Sequence, residues 1–144
     1  MEKEKILVSA CFVNRGYKYN GEANINEKII KLQEKYEFIL ICPEVFGGLS
    51  TPRLPSEIVN EKVLNSVGED VTEAFIKGAK KALELALEHG CTKAVLKGRS
   101  PSCGKGFIYD GSFSHTTIKG DGVAAKLLME NGITVYTEDE IENL

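Results

Sequence analysis

Short apolar runs alternate along the chain with stretches of helical spacing. Ile6-Leu7-Val8-Ser9-Ala10 stops at Cys11 and reads as a buried strand. Phe38-Ile39-Leu40-Ile41 reads as a second strand, ended by Cys42-Pro43, because proline cannot donate to a sheet ladder. Lys93-Ala94-Val95-Leu96-Lys97 and Ile133-Thr134-Val135-Tyr136 supply two more. Between them, Asn26 caps a predicted helix to about Lys35, with Ile29, Ile30 and Leu32 in its stripe. Thr72 caps a longer one to about His89, where Phe75, Ala79, Ala82, Leu83, Ala86 and Leu87 follow helical spacing. Gly90 is its natural C′ residue. Asp121 caps a third to about Asn131, and Glu138 to Leu144 forms a terminal helical turn. The remainder reads as irregular: Asn14 to Asn24, Glu44 to Glu57, and Gly98 to Gly120. Ile58 to Gly68 reads as a short extended excursion. Long loops inside a compact domain are usually functional.

Strand–helix alternation predicts an α/β fold, a three-layer αβα sandwich with a mainly parallel sheet, as one domain over residues 1–144. Ligands in such folds bind outside the carboxyl ends of the strands. Cys11 and Cys42 lie just past two strand ends, and Cys103 a few residues past a third. Parallel strands therefore bring these three thiols to one rim. Cys91 falls between a helix and the start of a strand, at the opposite rim, and reads as a small buried hydrophobe. Three thiolates without a nearby histidine suit a soft metal: an iron–sulfur cluster, zinc or copper(I). The alternative is three inert core cysteines. No C-x-x-C pair occurs, which disfavours structural zinc and a dithiol redox motif. A cubane with three protein ligands would keep one iron open for Lewis-acid chemistry.

Composition narrows the partners. Of 144 residues, 42% are hydrophobic and 27% charged, ordinary for a water-soluble domain of a size that needs neither disulfide nor metal to fold. A net charge of −3 offers no basic face, so a DNA partner is not expected. No apolar run approaches the roughly 18 residues that cross a bilayer, so no membrane partner is expected. The charged Met1-Glu2-Lys3-Glu4-Lys5 start is unlike a signal peptide, and a reducing cytoplasmic location follows as the default. The chain is expected to work as a monomer or homodimer on a small molecule.

Several polar residues accompany the thiols. Glu44 is two residues beyond Cys42, where desolvation would raise its pKa towards acid–base use; a solvated loop glutamate is the plainer reading. Ser100 and Ser102 flank Pro101 beside Cys103, suited to hydrogen bonds with substrate or cluster sulfur, or to turn chemistry alone. Lys97, Arg99 and Arg53 are candidates to hold an anionic substrate or offset cluster charge. Tyr109-Asp110-Gly111 and Tyr19-Asn20-Gly21 are turn signals that could also line a pocket, since an aromatic ring stacks on a planar heterocycle. Gly120-Asp121-Gly122 reads as a helix cap rather than an anion site, and His115 has no assigned role.

These segments together resemble the thiouracil desulfidase family. The resemblance is carried by Val8-Ser9-Ala10-Cys11, Cys42-Pro43-Glu44-Val45 with Gly47-Gly48-Leu49, and Thr51-Pro52-Arg53. It continues through Val71-Thr72-Glu73 with Phe75, Gly78 and Ala79, then Arg99-Ser100-Pro101-Ser102-Cys103-Gly104, Ile108-Tyr109-Asp110-Gly111 with Phe113, and Gly120-Asp121-Gly122-Val123. It implies a Rossmann-like fold and an oxygen-sensitive [4Fe–4S] cluster with one open iron on Cys11, Cys42 and Cys103. It also implies redox-neutral removal of sulfur from a thiolated uracil, with Glu44 as catalytic carboxylate and Ser100 as a catalytic participant. The family usually has Leu-Leu-Gly, Arg-Tyr-Asp-Gly and Lys-Glu-Arg-Ser where this chain has Phe12-Val13-Asn14, Lys18-Tyr19-Asn20-Gly21 and Lys97-Gly98-Arg99-Ser100. The competing expectation is a non-catalytic iron–sulfur protein that carries sulfide or binds a thio-compound.

Overall fold

The computed structural model describes residues 3–13, 25–50 and 53–144. The predicted Asn14–Asn24 loop, including Tyr19-Asn20-Gly21, and the Thr51-Pro52 pair lie outside the described residues. In chain order the elements are β1 (Glu4–Ser9), α1 (Glu27–Ile30), β2 (Tyr36–Ile41), α2 (Pro43–Phe46), β3 (Ser56–Val59) and β4 (Lys62–Asn65). Then come α3 (Thr72–His89), β5 (Lys93–Leu96), β6 (Phe107–Tyr109), β7 (Thr117–Lys119), α4 (Val123–Glu130) and β8 (Thr134–Thr137). Tight 3-10 turns cover Ala10–Phe12, Lys31–Glu34 and Ile141–Asn143.

β2, β1, β5 and β8 form, in that order, a parallel sheet. Side chains alternate across it. Leu7, Ile41, Ala94, Leu96 and Val135 pack with Ala82 and Ala86 of α3 and with Ala125 and Leu128 of α4. Ile6, Val8 and Val95 point to the other face, onto Phe12, Ile29 and Tyr36. Both faces are covered, which is why β1, β2 and β5 carry unbroken apolar runs, whereas the edge strand β8 has threonine at both ends. The expected three-layer α/β architecture is therefore present.

Local differences from the sequence reading have physical causes. Asn26 does cap α1, its Oδ1 accepting from the amides of Lys28 and Ile29 at 3.0 and 3.2 Å, but the helix tightens into 3-10 geometry at Lys31. Pro43 opens α2 where only loop was expected; proline suits a first helical position because its missing N–H would be unpaired there anyway. Thr72 is the first residue of α3, not its cap. Its amide and hydroxyl donate to Asp70 Oδ1 at 2.9 and 2.6 Å, and its Oγ1 accepts from the Val63 amide. Asp121 likewise caps nothing; its Oδ1 accepts from the Gly106 amide at 2.8 Å. The Ile58–Gly68 excursion lies largely in a β3–β4 hairpin, turned by Asn60 and Glu61 at φ 49° and 70°. A second hairpin, β6–β7, interrupts the Gly98–Gly120 loop.

One close approach sets the site. A Cβ on Gly78 of α3 would stand 1.7 Å from the Pro43 carbonyl oxygen, and one on Gly47 would stand 1.9 Å from that of Ala74. So α2 lies on α3 backbone against backbone. Gly78→Ala is expected to cost about 3 kcal/mol or more of stability, the upper range for overpacking. Urea unfolding measures it; an unchanged midpoint would contradict the contact.

Candidate active site

Cys11 sits half-buried in the turn that directly follows β1. Cys42 is the first residue past β2 and the N-cap of α2. Cys103 follows β5 through a short turn and is 5% exposed. The Cys103 thiol feels both Cys11 and Cys42 electrostatically, and each of the three follows the carboxyl end of a parallel strand. Cys91 instead feels Lys5 and Glu4 near the start of β1, at the opposite rim.

The Cys103 turn is built by serine hydroxyls. Arg99, at φ 67°, turns the chain out of the β5 end. Ser100 Oγ accepts from the amides of Ser102 and Cys103 at 3.1 and 3.2 Å and shares a hydrogen bond with Ser102 Oγ at 3.0 Å. Ser102 Oγ donates to Cys103 Sγ at 3.6 Å. Beneath this turn, the carbonyls of Pro101 and Ser102 accept from the amides of Val123, Ala124 and Ala125. The first amides of α4 are thus used by backbone carbonyls of this turn, and not by the Asp121 cap expected from the sequence. Gly122 permits the contact, since its Cβ would meet the Ser102 carbonyl at 2.6 Å.

Glu44 occupies the first turn of α2. Its Oε2 accepts from Arg53 Nη2 at 2.7 Å, with Glu44 and Arg53 side chains 17% and 6% exposed. Charge-assisted bonds of this kind are strong and directional, so the carboxylate has a defined orientation. Lys97 pairs with Glu138 Oε2 at 2.8 Å, while the Gly98 amide donates to Glu138 Oε1 at 2.7 Å. Lys97, Arg99, Lys105, Phe107 and Glu138 help to line a cavity of about 360 Å³ beside the Cys103 turn. Arg99 itself is exposed. Tyr109 meets His115 edge to face, with centroids 5.7 Å apart and rings at 81°. The Asp110 carboxylate accepts from the hydroxyl and amide of Ser112, which hold its pKa below the usual carboxylate value. The Asp110 geometry is that of ordinary turn chemistry.

The chain matches, over residues 6–140, the model of a family described as 2-thiouracil desulfurase. It belongs to the 2-thiouracil desulfurase family. It is 44% identical over 149 residues to "Uncharacterized protein YbbK" of Bacillus subtilis (strain 168), covering 96% of this chain and 99% of that protein. A solved structure named as a "[4Fe-4S]-dependent thiouracil desulfidase TudS" superposes with a TM-score of 0.90 at 41% identity, over 99% of this chain and 95% of that one. The Rossmann-like α/β fold is common to both.

Three polar residues to which the fold gives backbone partners escaped the sequence reading. Ser9, 2% exposed at the end of an apolar strand, accepts from the Lys97 amide at 3.0 Å and lies close enough to Cys103 to favour its charged form. Glu138 lies just past β8, and Glu57 lies in β3. A polar residue at the end of an apolar run was the available signal for Ser9; the other two have none at the level of sequence. Burial pushes the Cys103 thiol up from 9.0 to about 12, against the lowering by Ser9 and Ser102, and burial also raises Cys42. In the reduced, metal-free chain this neutral Cys103 thiol contributes stability that is complete below about pH 9 and is lost as the pH rises towards about 12. Melting temperatures between about pH 8 and about pH 10.5 should fall less steeply in Cys103→Ser than in the parent; equal slopes would contradict the assignment.

Proposed function

We propose that this chain is a [4Fe–4S]-dependent thiouracil desulfidase. It replaces the exocyclic C=S of a thiolated uracil by C=O, with water as the oxygen source, giving uracil and hydrosulfide with no net redox change. The observation that supports the reading is the position of three cysteines just past three carboxyl strand ends, taken with the family match. Cys11, Cys42 and Cys103 would hold the cluster. Soft thiols without histidine suit iron–sulfur ligation. Among the described residues no His, Cys, Asp or Glu trio could hold a single metal ion. A four-iron cluster spaces its thiolates more widely than one ion does, so a looser triad is compatible with it. When bound, the cluster supplies an open Lewis-acidic iron for the substrate sulfur.

The chain's own residues supply proton transfer and positioning. Arg53 orients Glu44 by holding one carboxylate oxygen. Glu44 takes a proton from the attacking water and returns it as hydrosulfide departs. Ser100, fixed by two amides, passes a hydrogen bond through Ser102 to Cys103 and presents a polar edge beside the reacting group. Lys97 and Arg99, which line the cavity beside the Cys103 turn, would border the substrate's approach. The competing carrier role predicts no multiple turnover on thiouracils.

Anaerobic reconstitution tests the ligands. The parent and Cys91→Ala should each hold about four irons and four sulfides per chain, and Cys11→Ala, Cys42→Ala and Cys103→Ala should lose them. A cluster that depends on Cys91, or survives without Cys103, overturns the assignment. Glu44→Gln should keep the cluster's colour while its turnover of thiouracil falls by about 10² to 10⁴. Full activity in that variant would remove Glu44 from the reaction.

A further inference from the structure

We propose that Glu57 is a positioning residue that clamps the two loops of the active site to one another. Glu57 is 6% exposed, although glutamate is rarely so buried without partners. Its Oε1 accepts from the amides of Gly111 and Phe113 at 3.0 and 3.1 Å. Gly111, Phe113 and His115 have φ of 91°, 58° and 62°. Alternating left-handed residues turn amides towards one side and make a concavity for an anion, and here the anion is the protein's own carboxylate. Phe113 and His115 adopt this conformation although L-residues disfavour it, which requires a compensating contact. Gly111 also lies directly on β3, because a Cβ there would meet the Ile58 carbonyl oxygen at 2.8 Å.

The two sides of this clamp lead to the two halves of the site. On one side, β3 continues from the segment that carries Arg53, the partner of Glu44. On the other, the clamped loop continues from β6. The Tyr109 amide there donates to the Arg99 carbonyl at 3.4 Å, and Ile108 bridges to Arg99. Arg99 is joined to Ser100, which orients the Cys103 turn. Glu57 thus registers the Glu44–Arg53 pair against the Ser100–Cys103 turn without touching either. Each cysteine has its own support, so the clamp governs alignment and not cluster retention.

The kinetic test rests on the proposed desulfidase reading. With reconstituted holoenzyme, Glu57→Ala should keep the parent's iron and sulfide content while kcat/KM per cluster falls about tenfold to a hundredfold, mostly in kcat. Glu57→Gln retains an amide oxygen for both N–H groups and should stay within about threefold of the parent. In the metal-free chain, hydrogen exchange should find the Gly111 and Phe113 amides protected in the parent and in Glu57→Gln, and unprotected in Glu57→Ala. A merely structural role would lower stability and leave turnover per cluster unmoved. Parent-like kinetics per cluster in Glu57→Ala, or unchanged exchange at Gly111 and Phe113, overturns the proposal. If Glu57→Ala does not fold, Glu57→Asp, shorter by one methylene, replaces it with the same expectations. A parent enzyme without turnover would sink the desulfidase reading, and the exchange experiment would still decide the clamp.

Discussion

Backbone contact between Pro43 and Gly78 is the constraint on which the site depends. Any side chain at position 78 would occupy the space of the Pro43 carbonyl. Because α2 is pressed onto α3, the chain leaving β2 cannot swing away from the sheet. That fixes Cys42 at the rim and aims the first turn of α2, with Glu44, along it. α3 is in turn held by its alanine face against Leu7, Ile41 and Ala94, so the direction of α2 is inherited from the main hydrophobic core. A thiol and a carboxylate two residues apart are therefore placed by packing far larger than themselves.

Electrostatics at the rim act in two senses. Burial opposes charge on Cys42 and Cys103, keeping their thiols neutral in the absence of a metal. Metal ligation by these residues would require thiolates, so loading would release protons, and the metal's charge would replace the solvation that burial removes. The Glu44 carboxylate is treated differently: Arg53, itself nearly buried, lies against it as a compensating charge. A buried pair of this kind contributes little net stability, but removing one partner strands the other. Its value here is orientation.

The layered fold was legible because β1, β2 and β5 are covered on both faces and carry unbroken apolar runs, and because α3 carries a clean helical stripe ended by left-handed Gly90. The rim position of the cysteines followed from strand direction alone. Capping was less legible. Thr72 and Asp121 are of the right residue types, yet α3 takes its cap contact from Asp70, and α4 takes its own from the carbonyls of a turn distant in sequence. The β3–β4 and β6–β7 hairpins are too short for periodicity to register. Ser9, Glu57 and Glu138 act through partners that tertiary structure supplies, and no local pattern encodes such partners.

Two kinds of support are separable in this architecture. The thiols are each held by a separate local device: a 3-10 turn after β1, a proline-started helix after β2, and a serine-braced turn after β5. Loss of one device need not move the others. The outlying groups Arg53 and Arg99 have less of this independence, because they sit on the irregular segments that follow α2 and β5. Loops are where binding and catalytic groups vary most readily, provided that a rigid frame sets their ends. Here the frame ends at the sheet rim, so alignment across the loops must come from contacts between them. A carboxylate bound by backbone amides suits that purpose, since amides persist whatever side chains the loop carries.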